Sequence, residues 1–306
     1  MGRYVARRLL QMIPVFIGST LLIFLMVNVM GDPVAGLCGE RTCDPATAAQ
    51  LKREFGLDKP LWQQYATYMG NVLTGDFGTA FNGQKVTELM GAAFPVTIRL
   101  TVVAILFEIV VGVSLGVLTG MRRGRPVDTG VLLATLVVIS VPTFVTGLLL
   151  QLLLGIRWQW ISPSVRYGGY DELILPGLVL ASVSLAYVTR LTRTAIAENK
   201  RSDYVRTAIA KGLPRRRVIV RHLLRNSLIP VVTFIGADIG ALMGGAIATE
   251  RIFNIHGVGF QLYQGILRQN TQTVVGFVTV LVLVFLAANL LVDLLYAVLD
   301  PRIRYA

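Results

Sequence analysis

Four acidic residues stand where an acid is expensive. Glu108, Asp238 and Asp293 fall inside long apolar runs, and Glu250 closes one. Charged side chains in membrane-length apolar segments face protein or water, and they pair with one another or mark a path for polar cargo. These four are therefore candidates for lining a translocation pathway. Pairing between helices, or hydrogen bonding at a subunit interface, is the alternative reading. Other chemistry is poorly represented. The sequence has no G-x-x-x-x-G-K-[ST] phosphate loop, no G-x-S-x-G elbow and no H-E-x-x-H zinc helix. Its two histidines, His222 and His256, are far apart in the expected topology, so no metal site is expected. Cys38 and Cys43 are the two cysteines. They are a disulfide candidate, with a pair of free thiols or a metal or redox pair as alternatives. A bridge would close so small a loop that it would add little global stability.

The elements that carry these residues belong in lipid. Hydrophobic residues make up 54% of the 306-residue chain and charged residues 15%, against about 25% charged in an average soluble domain. Near-uncharged runs of bilayer-crossing length recur. They predict six spans, at about 9–30, 97–121, 129–156, 174–195, 228–250 and 272–299, with Pro142 as a kink in the third. The first follows Arg3, Arg7 and Arg8, as a signal peptide would, but it is too long and ends in Met30-Gly31-Asp32-Pro33 without a small-residue cleavage site. It reads as a retained helix. In the fifth span Gly236, Gly240, Gly244 and Gly245 recur at small-residue spacing, which suggests close helix packing.

Orientation follows from the placement of Lys and Arg. With the N-terminus inside, the inner segments hold 19 of these residues and the outer segments nine. Both termini are then cytoplasmic. The net charge of +12 is topological in origin, and no nucleic-acid partner is expected. The outer segment 31–96 has helical patterning at 45–55 and at 60–73, where Trp62, Tyr65, Met69, Val72 and Leu73 form one apolar stripe. It reads as a small cap on the membrane domain, with a docking surface as a compatible second role.

A basic inner stretch, 190–227, separates two apolar runs and carries eleven Lys or Arg. Ser202 or Asp203 can cap a helix of two turns over Tyr204–Lys211. Gly212 suits the left-handed turn that ends it, and Leu213-Pro214 restarts a second helix. Thr207, Ala208 and Ala210 are small enough to admit another surface. A groove on a partner and the membrane interface are both places for such a helix.

D-Y-V-R-T-A-I-A-K-G-L at 203–213 and R-H-L-L-R-N-S-L-I-P at 221–230 resemble the cytoplasmic loop of binding-protein-dependent ABC importer permeases, in the dipeptide/oligopeptide/nickel branch. So do G-D-P at 31–33, F-G-L-D-K-P-L at 55–61, G-D-F-G at 75–78, P-V-T-I-R-L at 95–100, E-R-I-F-N-I-H-G-V-G at 250–259 and L-L-Y-A-V-L-D-P-R-I-R-Y at 294–305. The resemblance covers nearly the whole chain. The general family pattern E-A-A-three residues-G is replaced by Arg206-Thr207-Ala208 and then Gly212, so no glutamate contact is carried over. His256 stands where the branch has proline.

The resemblance implies an all-α polytopic membrane protein of the type I importer kind, with six transmembrane helices and a small helical extracytoplasmic insertion after the first. Residues 1–30 are the inner N-terminus and first helix, 31–96 the insertion, 97–299 the core with coupling loop 196–227, and 300–306 an inner tail. It implies a multi-pass protein of the prokaryotic inner membrane that imports di- or oligopeptides and forms half of the path. The implied partners are a second homologous permease subunit, cytoplasmic ATPase subunits that bind ATP and Mg, an extracytoplasmic substrate-binding protein, and membrane lipid. The chain itself would be no enzyme and carry no cofactor. Asp203, Tyr204, Val205, Arg206, Thr207, Ala208, Ala210, Lys211, Gly212 and Leu213 are the implied ATPase-coupling residues. Nickel chelates or another small solute are alternative cargoes. A secondary transporter is a weaker reading because no inverted repeat or broken-helix pair is seen, and a membrane enzyme is weaker still.

Overall fold

The computed structural model describes residues 2–30, 44–54, 58–80 and 83–299. The described residues are built from helices, apart from one isolated β-bridge between Thr79 and Lys85. Among the described residues five helices are long and apolar enough to cross a membrane, and the pair Pro126–Ser140 and Thr143–Arg157, bent by 101°, passes the same test only when taken together. In chain order we label α1 (Gly2–Met30), α2 (Pro45–Glu54), α3 (Leu61–Leu73), α4 (Val86–Met121), α5 (Pro126–Ser140), α6 (Thr143–Arg157), α7 (Ile174–Asn199) and α8 (Asp203–Ala210). Arg215–Arg217, Val218–Leu224 and Arg225–Ser227 run on as α9, followed by α10 (Ile229–Ile252), α11 (Val258–Leu267) and α12 (Thr271–Leu299).

Two spans differ from the sequence expectation. The second starts at Val86 rather than at 97, and Pro95 lies inside it. Val86, Met90 and Ala93 are buried against Val258, Leu262, Val274 and Phe277, and this packing holds the added turns. The third span is two helices that meet at 101°, not one kinked helix. Pro142 caps the second of them and has no N–H to continue the first. The short helix α11 had no counterpart among the predicted elements.

Glycines set the closest approach in the bundle. Gly112, Gly116 and Gly120 on α4 face Val188, Thr192 and Ile196 on α7, so three one-turn steps on one helix meet three on the other. A Cβ on Gly120 would lie 2.7 Å from Ile196, and one on Gly112 would lie 3.0 Å from Val188. Gly236 and Gly240 admit Val292 and Phe285 of α12, as their spacing suggested. Gly244 and Gly245 instead have nothing within 4 Å and lie on an exposed face of α10.

Cross-links define two ends. At one, Lys200 Nζ donates to the Met121 carbonyl (3.0 Å), and Arg193 pairs with Asp128. Arg8 of α1 pairs with Asp293 of α12 at this same end, level with the start of α10. At the other end α3 lies against α1 and α12. Tyr65 Oη meets Thr20 Oγ1 at 2.9 Å, and Tyr68 Oη meets Thr279 Oγ1 at 2.6 Å. Burial pushes the Tyr68 hydroxyl up to about 12. The packed face of α3 is therefore Tyr65, Tyr68, Met69 and Val72, while Trp62 and Leu73 point away at 69% and 82% exposure. Both had been assigned to the packed stripe. Phe55, Cys38 and Cys43 lie outside the described residues, so the disulfide candidate does too.

Candidate functional site

The basic stretch forms a helix held by its underside. Ser202 occupies the N-cap position in an extended conformation, but its hydroxyl donates backward to the Asn199 carbonyl (2.5 Å) and not into α8. Asn199 Oδ1 also accepts from Tyr204 Oη (3.0 Å), which ties the first turn of α8 to the end of α7. At the far end Gly212 has φ +71°. Leu213 N–H donates to the Ala208 carbonyl (3.3 Å) and Gly212 N–H to the Ile209 carbonyl (2.9 Å). These are the paired bonds of a Schellman cap, and Leu213 supplies the accompanying apolar contact. The left-handed turn expected at Gly212 is present.

Val205 and Ala208 are the buried residues of α8 and pack with Ile196 of α7 and Val218 and Leu223 of α9, with Leu213 beside them. This corrects one expectation, because Ala208 faces inward and offers nothing to an approaching surface. Asp203, Tyr204, Arg206, Thr207, Ile209, Ala210, Lys211 and Gly212 are exposed. The Arg206–Asp203 pair is long (3.8 Å) and almost fully solvated, so it contributes little. Ile209, absent from the sequence-derived set, is 61% exposed. The outcome is a rigid projection with a polar rim and an exposed isoleucine, held by a small hydrophobic base.

One turn from Ile196, a charged clamp that the sequence reading missed joins α7 to α5. Arg193 donates to both oxygens of Asp128 (2.5 and 2.8 Å), and Gly124 N–H donates to Asp128 Oδ2 (2.9 Å). Such two-point guanidinium–carboxylate contacts fix orientation as well as distance. They join the loop before α5 to α7, six residues before Asn199. No sequence spacing pairs positions this far apart, so only the fold reveals the clamp.

The four acidic candidates are not brought together. Asp293 is paired with Arg8 (3.2 Å). Glu250 is fully buried and bonded: Thr97 Oγ1 donates to Oε1 (2.6 Å) and Phe260 N–H to Oε2 (2.9 Å). Thr97 Oγ1 in turn accepts from Val258 N–H (2.8 Å). Glu250 thus clamps the turn between α10 and α11 onto α4, and its carboxylate points at that turn. Glu108 and Asp238 do meet. Glu108 opens a π-helical turn of α4 (Glu108–Val113), is fully buried, and faces Asp238 of α10. No hydrogen bond of good geometry reaches either Glu108 oxygen or Asp238 Oδ2.

The loop between α6 and α7 is tied down separately. Glu172 Oε2 accepts from the Tyr167 and Gly168 N–H groups (both 2.9 Å), and these backbone donors hold its carboxyl below the usual carboxylate range. Among the described residues no group of three or more His, Cys, Asp or Glu is arranged to hold a metal.

Comparison with known proteins places this architecture. A family model described as "Binding-protein-dependent transport system inner membrane component" matches residues 112–305, and its N-terminal companion matches residues 1–101. The chain is 39% identical over 337 residues to the dipeptide transport system permease protein of Escherichia coli (strain K12), covering 100% of this chain and 99% of that protein. It is 37% identical over 331 residues to the di/tripeptide transport system permease protein of Pseudomonas aeruginosa (strain UCBPP-PA14), covering 99% and 98%. The glutathione transport system permease protein of Pectobacterium atrosepticum is 36% identical over 308 residues, with both chains fully covered.

Proposed function

Because the chain belongs to the family of binding-protein-dependent transport system inner membrane components, we propose that it is the permease subunit of an ATP-driven importer of short peptides. It forms half of a translocation path, the other half coming from a second homologous permease. A substrate-binding protein delivers cargo at the α3 end, and ATPase subunits dock at the α8 end. The α8 end is cytoplasmic, as are both termini.

The observation that carries this reading is α8 itself. It is capped at a left-handed glycine and packed by two residues, and the rest of its surface is open. A helix of this kind suits a groove on a partner. Its base packs on Ile196 of α7, the Arg193–Asp128 clamp joins α7 to α5, and the glycine seam joins α7 to α4. A pull on α8 therefore reaches the membrane helices as a rigid displacement. Nucleotide turnover on the partner can move the bundles only through a difference in ATP affinity between the two arrangements. Nucleotide chemistry is assigned to the partner because this chain has no phosphate loop. Dipeptide and di/tripeptide permeases of similar length across the whole chain support the peptide class.

The test is reconstitution of the assembled complex in vesicles. We expect di- or tripeptide uptake that requires both ATP and the binding protein. Uptake driven by an ion gradient without ATP would overturn the reading.

A further inference from the structure

We propose that Asp238, with Glu108 behind it, forms a cation subsite on the exposed face of α10, and that its ligand is the ammonium group of a peptide moving along that face. This rests on the peptide-permease reading for the identity of the ligand. The site itself rests on geometry. Glu108 has no exposed surface, and both of its oxygens lack a hydrogen-bond donor. The group that faces it is a second carboxyl, Asp238, whose Oδ2 is also buried without a partner. The ion pairs among the described residues involve neither of them. Two facing carboxyl groups can share one hydrogen bond between them, but the negative charge that the pair retains has no cation beside it, and a buried charge without a partner is destabilising.

The pair opens toward one surface. Asp238 is half-buried, and its helical neighbours Ala237 and Ala241 are exposed. With Gly244 and Gly245, which have open space beyond them, they make a face of small residues along which an extended chain can pass. Asp238 lies nine residues into α10 from Ile229, about 14 Å from the α8 end at 1.5 Å per residue. Phe234 stands one turn away on the same helix and contacts Tyr187 of α7, with ring centroids 6.3 Å apart. Tyr187 is itself exposed. A carboxylate with an aromatic pair one turn away suits an alkylammonium group, which gains both charge-assisted hydrogen bonds and ring-face attraction. The π-helical turn that begins at Glu108 inserts an extra residue and sets this side chain toward α10; such turns recur at functional sites.

The test uses the assembled complex with Cys38→Ser and Cys43→Ser, and a reporter thiol at Ala241→Cys. Its labelling rate is measured with a trimethylammonium-ethyl and a sulfonatoethyl methanethiosulfonate, which are similar in size and opposite in charge. We expect the cationic reagent to react about tenfold faster than the anionic one, the scale set by a charge a few ångströms away at the edge of water. Asp238→Asn should abolish that preference, and Glu108→Gln should reduce it. A dipeptide with a free amino terminus should slow the cationic reagent, and its N-acetylated form should not. This last comparison needs no carboxyl variant, so it stands even where Asp238→Asn fails to assemble. Equal rates for the two reagents, or equal protection by the two peptides, would overturn the subsite. A complex that takes up no peptide yet keeps the reagent preference overturns the peptide reading and with it the ligand, leaving a cation site.

Discussion

Gly212→Val is the change that separates coupling from folding. Gly212 sits at φ +71° in the cap of α8, and a Cβ there would meet nothing within 4 Å. The penalty is therefore conformational and not steric: about 1–2 kcal/mol for an L-residue in the left-handed region, and more for a β-branched one. What holds α8 in place is small. Burial of Val205 and Ala208 supplies about 2–4 kcal/mol, taking a full valine and one methyl group at the usual transfer values and treating the sum as an upper bound. Each ~1.4 kcal/mol of penalty lowers the ratio of docked to undocked α8 tenfold, so a penalty that rivals the hold of Val205 and Ala208 leaves much of α8 undocked. The α10–α12 packing is remote from Gly212, and the α4–α7 seam meets the α8 base only at its Ile196 end, so the bundle should stay folded in the membrane. The assay is recovery of ATPase on affinity-purified permease, together with peptide uptake in vesicles. We expect recovery and uptake to fall several-fold with Gly212→Val, whose penalty approaches the whole hold on α8, and much less with Gly212→Ala. Gly212→Asn should stay near the parent, because asparagine tolerates this region. Arg206→Ala should change little, since its ion pair is solvated. Full recovery with Gly212→Val, or an asparagine variant as poor as the valine one, would refute the argument from backbone conformation.

Further expectations follow from the same structure. Replacing Glu250 with Gln leaves one acceptor where Thr97 and Phe260 N–H both donate, so thermal unfolding in detergent should show a loss of about 1–3 kcal/mol for the stranded donor; an unchanged midpoint would remove Glu250 as the clamp of the α10–α11 turn. Thiols placed at Lys200 and at Gly83 should label from opposite sides of the membrane, and labelling of both from one side would sink the six-span topology. Mass spectrometry of protein from native membranes, without reductant, should find the peptide holding Cys38 and Cys43 lighter by two hydrogens, and a peptide of full mass would exclude the bridge.

The division between sequence and tertiary structure follows the range of the forces involved. Local signals were legible. Apolar runs located the spans because lipid demands about 20 apolar residues whatever they pack against. Gly212 announced a left-handed cap because few other residues tolerate that conformation, and the basic loops declared which segments share an end. The spacing of Gly236 and Gly240 marked a close helix contact, and both glycines admit side chains of α12. Where an outcome depended on which helices touch, the sequence was silent. Pro95 could not be told from a helix terminator until Val258, Leu262 and Phe277 were seen packing on the turns before it. Ala208 and Ala210 looked alike, and only the cluster of Ile196, Val218 and Leu223 decided which one was buried. Four acidic residues read as equivalent. Folding gave Asp293 an arginine and Glu250 a set of donors, and it left Glu108 with Asp238 alone. Their different fates arise because a buried charge is governed by neighbours within a few ångströms, and Arg8, Thr97 and Asp238 each reach their partner from more than a hundred positions away in the chain.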